Sequence, residues 1–107
     1  MDYSNFAFGF SISGAVVTVN SGKVRQGIRA PVTVAQKNIT ISADQTWIYV
    51  EYAFGGTSAT ITSHLTEPQT TSTILKYPLH LWGVSGGTVS LSKILHLGDI
   101  VIPGAFA

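Results

Sequence analysis

The chain has 107 residues and a formal net charge of +1, and only 10% of its residues are charged, against roughly 25% in typical soluble domains. This length predicts one domain over residues 1–107, with no room for a second core. The absence of cysteine excludes disulfides, thiolate zinc sites and a cysteine nucleophile.

Apolar and polar residues alternate with period two through the first half of the chain, which predicts strands. In the strongest of these strands, Trp47, Tyr49 and Glu51 share the more polar face. Turns are predicted at Asn20–Gly22, and at Gly55–Gly56 as a hairpin. The predicted strands cover residues 15–19, 32–35, 38–42, 45–54 and 59–63.

The second half begins with a predicted loop over residues 64–73, which is rich in proline and threonine. Strands follow, and Pro78 places the first of them at a sheet edge or at its own beginning. Residues 90–97 fit both helical and strand spacing, and we predict a strand there. The remaining predicted strands cover residues 77–84, 88–92 and 100–102.

About eight to ten short strands bounded by turn residues predict an all-β fold, either a sandwich or a barrel. Of these two we expect an antiparallel β-sandwich of jelly-roll type. Because charge is scarce, we expect some uncharged surface to be covered by further copies of the chain. Both ends are apolar, at Phe6–Phe10 and at Ile102–Ala107. Such ends are expected to dock on a neighbouring copy, which predicts a homo-oligomer.

The titratable residues give little support to catalysis, because the chain has five carboxylates and three histidines in all. His80 and His96, with Asp99 or His64, are candidate metal ligands, but their spacing matches no known ligand pattern. A histidine near a threefold axis would be repeated in a trimer, which is the one route to a metal site. We therefore predict a protein that is not an enzyme and has no metal and no cofactor.

Nucleic acid and membrane are disfavoured as partners. Four of the six basic residues lie between Lys23 and Lys37, but no aromatic residue is interleaved to stack on bases. Polar residues interrupt every apolar run before it reaches membrane-spanning length, and no secretion signal is visible.

Aromatic side chains are the best candidates for ligand binding. Trp47 and Tyr49 lie beside Glu51, and this combination can either stack on a sugar ring and bind its hydroxyls or pack in an interface. His80 and Trp82 present the same alternatives. Packing, within the domain or between subunits, is the first interpretation of both sets, and sugar contact is the second.

Three stretches, over residues 17–24, 41–52 and 96–104, resemble β-rich proteins of tailed-bacteriophage fibres, spikes and capsid fibres. The resemblance implies a virion-associated homotrimer that attaches to a host-surface glycan, or that decorates the particle together with other virion proteins. In contrast to long phage fibres, this sequence has no repetitive shaft and no separate particle-anchoring domain. Two interpretations stay open: a complete small virion protein, or an excised module of a larger one. The alternative function is a carbohydrate-binding module that uses the exposed aromatic residues.

Overall fold

The structure is a computed structural model that describes residues 3, 5–27 and 30–102. Its described residues form ten strands and no helix, so none of them belongs to a helix that could span a membrane. The strands are β1 (Phe10–Ser13), β2 (Val16–Val19), β3 (Gly22–Gln26), β4 (Val32–Val34), β5 (Lys37–Thr40), β6 (Thr46–Ala53), β7 (Ala59–His64), β8 (Ile74–Ser85), β9 (Thr88–Ile94) and β10 (Ile100–Ile102).

The strands form three sheets, with the orders β1-β2-β5, β10-β3-β4 and β7-β6-β8-β9. Neighbouring strands are antiparallel except for β10, which pairs with β3 in parallel register. The all-β prediction is therefore confirmed. The expectation of purely antiparallel pairing is wrong at β10, because alternation along a strand carries no information about the direction of its partner.

Most strands lie where alternation predicts them, including the ambiguous segment after residue 90, where β9 continues to Ile94. The sequence prediction missed β1 and β3. Gly22 was assigned to a turn, but it begins β3 as a buried residue. A Cβ atom at this position would lie 2.5 Å from the Phe8 ring, so glycine is required by close packing rather than by a turn.

One hydrophobic core is shared by all three sheets. The ring of Phe10 packs edge-on against Trp82, at 4.9 Å between centroids, and so joins the sheet of β1 to that of β8. A buried hydrogen bond of 2.8 Å from the Tyr52 hydroxyl to Oε1 of Gln26 joins β6 to β3. The largest fully buried side chains of the core are Trp82, Tyr52, Phe8, Ile41, Ile48, Ile61, Leu79 and Ile100.

Strand β8 lies inside its sheet, between β6 and β9, and begins four residues before Pro78. The prediction of an edge strand, or of a strand starting at Pro78, is wrong for β8 as a whole. The proline is nevertheless tolerated, because β9 pairs with β8 only from His80 onward, so Pro78 has a strand partner on one side alone. Next to it, Leu79 is the extra residue of a β-bulge, since Ile48 pairs with His80 and Tyr49 with Pro78.

The apolar N-terminal stretch packs into the chain's own core. Phe8 and Phe10 are 0% and 7% exposed, whereas Phe6 is 49% exposed. The backbone of Phe8 has a positive φ of 57°, and its carbonyl accepts a hydrogen bond from His80. Burial in the chain's own core therefore explains why Phe8 and Phe10 are apolar, without docking on a neighbouring copy. At the other end, residues 103–107 lie outside the described residues.

Candidate functional site

The side of the four-stranded sheet that faces away from the core, here called the outer face, carries Trp47, Tyr49 and Glu51. None of the three belongs to the core cluster, which takes the alternate residues of β6. Directly paired residues share a face in antiparallel strands, so the register extends the outer face to both neighbours of β6. The outer face therefore also includes Thr60, Thr62 and His64 of β7 and Lys76, Pro78 and Leu81 of β8.

His80 and Trp82 lie on the opposite side of this sheet, and both are 0% exposed. The hypothesis that they form an accessible sugar-contact pair is therefore wrong for this chain, and packing within the domain explains them. The cause is the bulge at Leu79, which reverses the parity of β8, so that His80 and Trp82 point toward the core together with Tyr77.

A groove of about 290 Å³ opens on the outer face around Tyr49. The side chain of Tyr49 is only 7% exposed, because the segment after β7 folds back over it. Sequence reasoning placed Tyr49 on this face, with packing as the first interpretation and sugar contact as the second, and it missed the rest of the lining. The groove is lined by Tyr49, His64, Thr66, Glu67, Pro68, Gln69 and Lys76.

Several polar groups of the outer face have no hydrogen-bond partner within the described part of the chain. They are the Trp47 indole N–H, the Tyr49 hydroxyl and the Glu51 carboxylate. Lys76 lies opposite Glu51 in the register, yet the two side chains form no ion pair. Groups of this kind, placed beside an aromatic ring, remain available to an external ligand.

Burial raises the pKa of Tyr49 above its ordinary value of 10.0, and the nearby Glu51 carboxylate raises it further. The phenol is therefore neutral at physiological pH, and it can both donate and accept a hydrogen bond. Tyr49 and Glu51 are two residues apart on β6 and share the outer face, so their side chains are neighbours. A donor, an acceptor and an aromatic surface are thus within reach of one bound molecule.

His64 lines the groove, and its ring is held in place by its own loop. Its Nδ1 accepts a hydrogen bond from the Thr66 amide at 3.1 Å and lies 2.9 Å from the Thr66 hydroxyl. An Nδ1 atom that accepts from an amide leaves the proton of the neutral ring on Nε2. His64 therefore presents a fixed N–H donor at the exposed end of β7.

The other two histidines are occupied by contacts inside the protein. Nε2 of His80 donates to the Phe8 carbonyl at 2.9 Å, in the core, while its Nδ1 is buried and has no hydrogen-bond partner among the described residues. Nε2 of His96 lies 2.9 Å from the Gly98 carbonyl, and its Nδ1 lies 3.3 Å from the Tyr77 hydroxyl. Within residues 3, 5–27 and 30–102 no group of three or more histidines and carboxylates is arranged to hold a metal ion.

No protein-family model matches this chain. No curated protein and no solved structure shows significant similarity to it. The geometry of the outer face indicates what it can bind.

That geometry suits recognition of a polar, uncharged molecule with apolar patches. Trp47 is half-buried and offers part of a ring for stacking, while the groove supplies Glu67, Gln69 and Lys76 as hydrogen-bonding side chains. Carboxylates and cations are mixed here, so the groove does not form a single-sign field that would select an anion or a cation.

Proposed function

We propose that this chain is a non-enzymatic structural subunit of a virion, of the fibre, spike or capsid-fibre kind, and that it acts as a homotrimer with other virion proteins. We further propose that its three sheets form a sandwich of jelly-roll type. The shared core supports this arrangement, as does a shortest dimension of 18 Å, which fits two sheet layers about 10 Å apart.

The observation that carries the proposal is the outward surface of the β1-β2-β5 sheet, together with its unprotected β1 edge. The outward side chains of this sheet are short and polar or β-branched, and none of them is charged. The exposed Lys37 at the start of β5 pairs with Val19 and so lies on the other side of the sheet. Strand β1 ends this sheet with exposed Ser11, Ile12 and Ser13, and it has neither the charge nor the proline that usually protects an edge. The outward residues are Ser11, Ser13, Val16, Thr18, Asn38 and Thr40.

The same sheet has a second end at β5, so it carries two different strand edges. A contact between one edge of a subunit and the other edge of its neighbour is head-to-tail, and contacts of this type close into rings, threefold rings among them, when the rotation between subunits allows it. Self-association through this sheet is therefore compatible with a trimer. Ile12, which is 47% exposed on β1, would lie in such a contact.

Light scattering of the purified chain at micromolar concentration tests the assembly. We expect a trimer for the natural sequence and a monomer for Ile12→Lys, because a charge at the edge opposes strand pairing. Val101→Lys is the matched control, since Val101 is 62% exposed on a different sheet, and it should remain trimeric. A natural chain that is monomeric would refute self-association, and a trimeric Ile12→Lys would refute the role of β1.

The outer face favours a second function, saccharide binding through Trp47, Tyr49 and Glu51. A sugar has one apolar C–H face and several hydroxyls, and it therefore matches an aromatic ring flanked by unpartnered donors and acceptors. In a virion protein this would be attachment to a host-surface glycan. In another context the chain would be a carbohydrate-binding module.

A glycan array tests saccharide binding with fluorescently labelled protein. We expect hits, and Trp47→Ala should weaken binding to them about tenfold or more, the effect of removing an aromatic anchor worth ~1–2 kcal/mol. Phe6→Ala is the control, because Phe6 is an exposed aromatic residue outside the four-stranded sheet, and it should bind like the natural chain. An array without hits, or full binding by Trp47→Ala, would contradict this function.

A further inference from the structure

We propose that the saccharide bound by the outer face is a linear, uncharged oligosaccharide, and that a second subsite beyond His64 binds its continuation. This inference rests on the saccharide-binding function proposed above. It adds the length of the ligand and a surface that the sequence does not single out.

Two depressions meet at His64. The first is the groove around Tyr49. The second, of about 400 Å³, lies where the end of β7 approaches the beginning of β6 and the segment after β5. Its lining residues are Thr40, Ser42, Ala43, Thr46, Ser63, His64 and Leu65.

The second depression contains hydroxyl groups and no acidic or strongly basic side chain. The hydroxyl of Thr46 is used inside the protein, since it donates to the Ala43 carbonyl at 2.6 Å. The hydroxyls of Thr40, Ser42 and Ser63 have no partner among the described residues. Each of them can both donate and accept, as sugar hydroxyls also do.

An apolar surface accompanies these hydroxyls, because Leu65 is 60% exposed at the rim of the second depression. A hydrophobic side chain beside hydroxyls matches the C–H face and the hydroxyl edge of a sugar ring. The absence of charge in the lining makes a neutral sugar the fitting occupant, since a charged one would lose hydration without gaining an ionic partner.

His64 lines both subsites, and hydrogen bonds within its own loop hold its ring in one orientation. Thr66 fixes the ring through Nδ1, so the neutral ring carries its proton on Nε2. Because His64 lines both depressions, this donor lies between the two subsites. A fixed donor loses little conformational freedom when a ligand binds. One sugar unit on each side of His64, with the linkage near its ring, would fill both depressions.

The test is a titration with maltose-, cellulose- and chitin-type oligosaccharides, from the monosaccharide to the hexasaccharide, followed by the NMR signals of the protein. Ser42→Trp is designed to fill the second depression, because Ser42 is exposed. Ser85→Trp places the same side chain at an exposed position at the far end of β8 and serves as the control.

For at least one series we expect affinity to rise about tenfold or more between the monosaccharide and the longer members. Ser42→Trp should abolish this rise and leave monosaccharide affinity unchanged, whereas Ser85→Trp should behave like the natural chain. Equal affinity for all lengths, or a rise that survives Ser42→Trp, would overturn the second subsite and leave the first intact. Failure of every member to bind, the monosaccharides included, would overturn saccharide binding itself and this inference with it.

Discussion

Each face of the four-stranded sheet carries a tryptophan and a histidine, but these residues are buried on the inner face and more exposed on the outer face. The inner face holds His80 and Trp82, which are both 0% exposed and lie 6.0 Å apart between ring centroids. The outer face holds Trp47 opposite His64, with a half-buried indole and an exposed imidazole. Residue type alone therefore does not distinguish a binding surface from a core, whereas the face of the sheet does.

The largest expected effect comes from removing the inner tryptophan. Trp82→Ala should lower the free energy of unfolding by about 3–5 kcal/mol, because it leaves a cavity beside Phe10 in the shared core. Trp47→Ala, the same change on the outer face, should cost about 1 kcal/mol or less. Urea unfolding of both variants measures the difference, and equal losses would contradict the assignment of the two faces.

Acidification should act on the inner face through His80. Burial lowers the pKa of His80 from its ordinary value of 6.5 to about 4, against the opposing effect of its hydrogen bond to the Phe8 carbonyl. Between these two values the unfolded chain binds more protons than the folded one, so stability falls as the pH falls from 6.5 toward 4. The expected contribution is a loss of about 3 kcal/mol at the acid end.

Unfolding curves of the natural chain and of His80→Gln across this pH range test the effect. The variant lacks the titrating ring, so its stability should depend less steeply on pH, even if it is less stable at neutral pH. Parallel pH dependences for the two proteins would rule out His80 as the source.

The smallest expected difference in unfolding free energy between the two faces comes from the tyrosines of β6. Tyr52→Phe removes the buried hydrogen bond to Gln26 and should cost about 1 kcal/mol. Tyr49→Phe removes a hydroxyl that has no partner within the described residues, so the free energy of unfolding should stay nearly unchanged. Thermal or urea unfolding resolves this difference, and a larger loss for Tyr49→Phe would contradict the outer-face description.

Alternation in the sequence was sufficient to predict most strands and the face that carries Trp47, Tyr49 and Glu51. It failed where the backbone departs from a regular period. The bulge at Leu79 reverses the face of every following residue of β8, and nothing in the local pattern marks it. For this reason sugar contact stayed open from the sequence as the second interpretation of His80 and Trp82, after packing.

The remaining site residues depend on contacts between distant segments. Glu67 and Gln69 lie in a loop, where alternation gives no direction, and they reach Tyr49 only because that loop folds back. The pairing of Lys76 with Glu51 depends on a register that the sequence does not specify. His64 was within reach of sequence reasoning, since the predicted hairpin after Tyr52 brings the end of β7 beside Trp47.

The central claim is that the outer face around Trp47 binds a saccharide, while the buried aromatic residues of the inner face hold the fold. The chain has two tryptophans, so its two indole N–H signals report on the two faces separately in a ¹H–¹⁵N NMR spectrum. During titration with maltohexaose, cellohexaose and chitohexaose, we expect the Trp47 signal to shift with at least one of them and the Trp82 signal to stay in place. A Trp47 signal that does not move with any of the three, or a shift confined to Trp82, would contradict the claim.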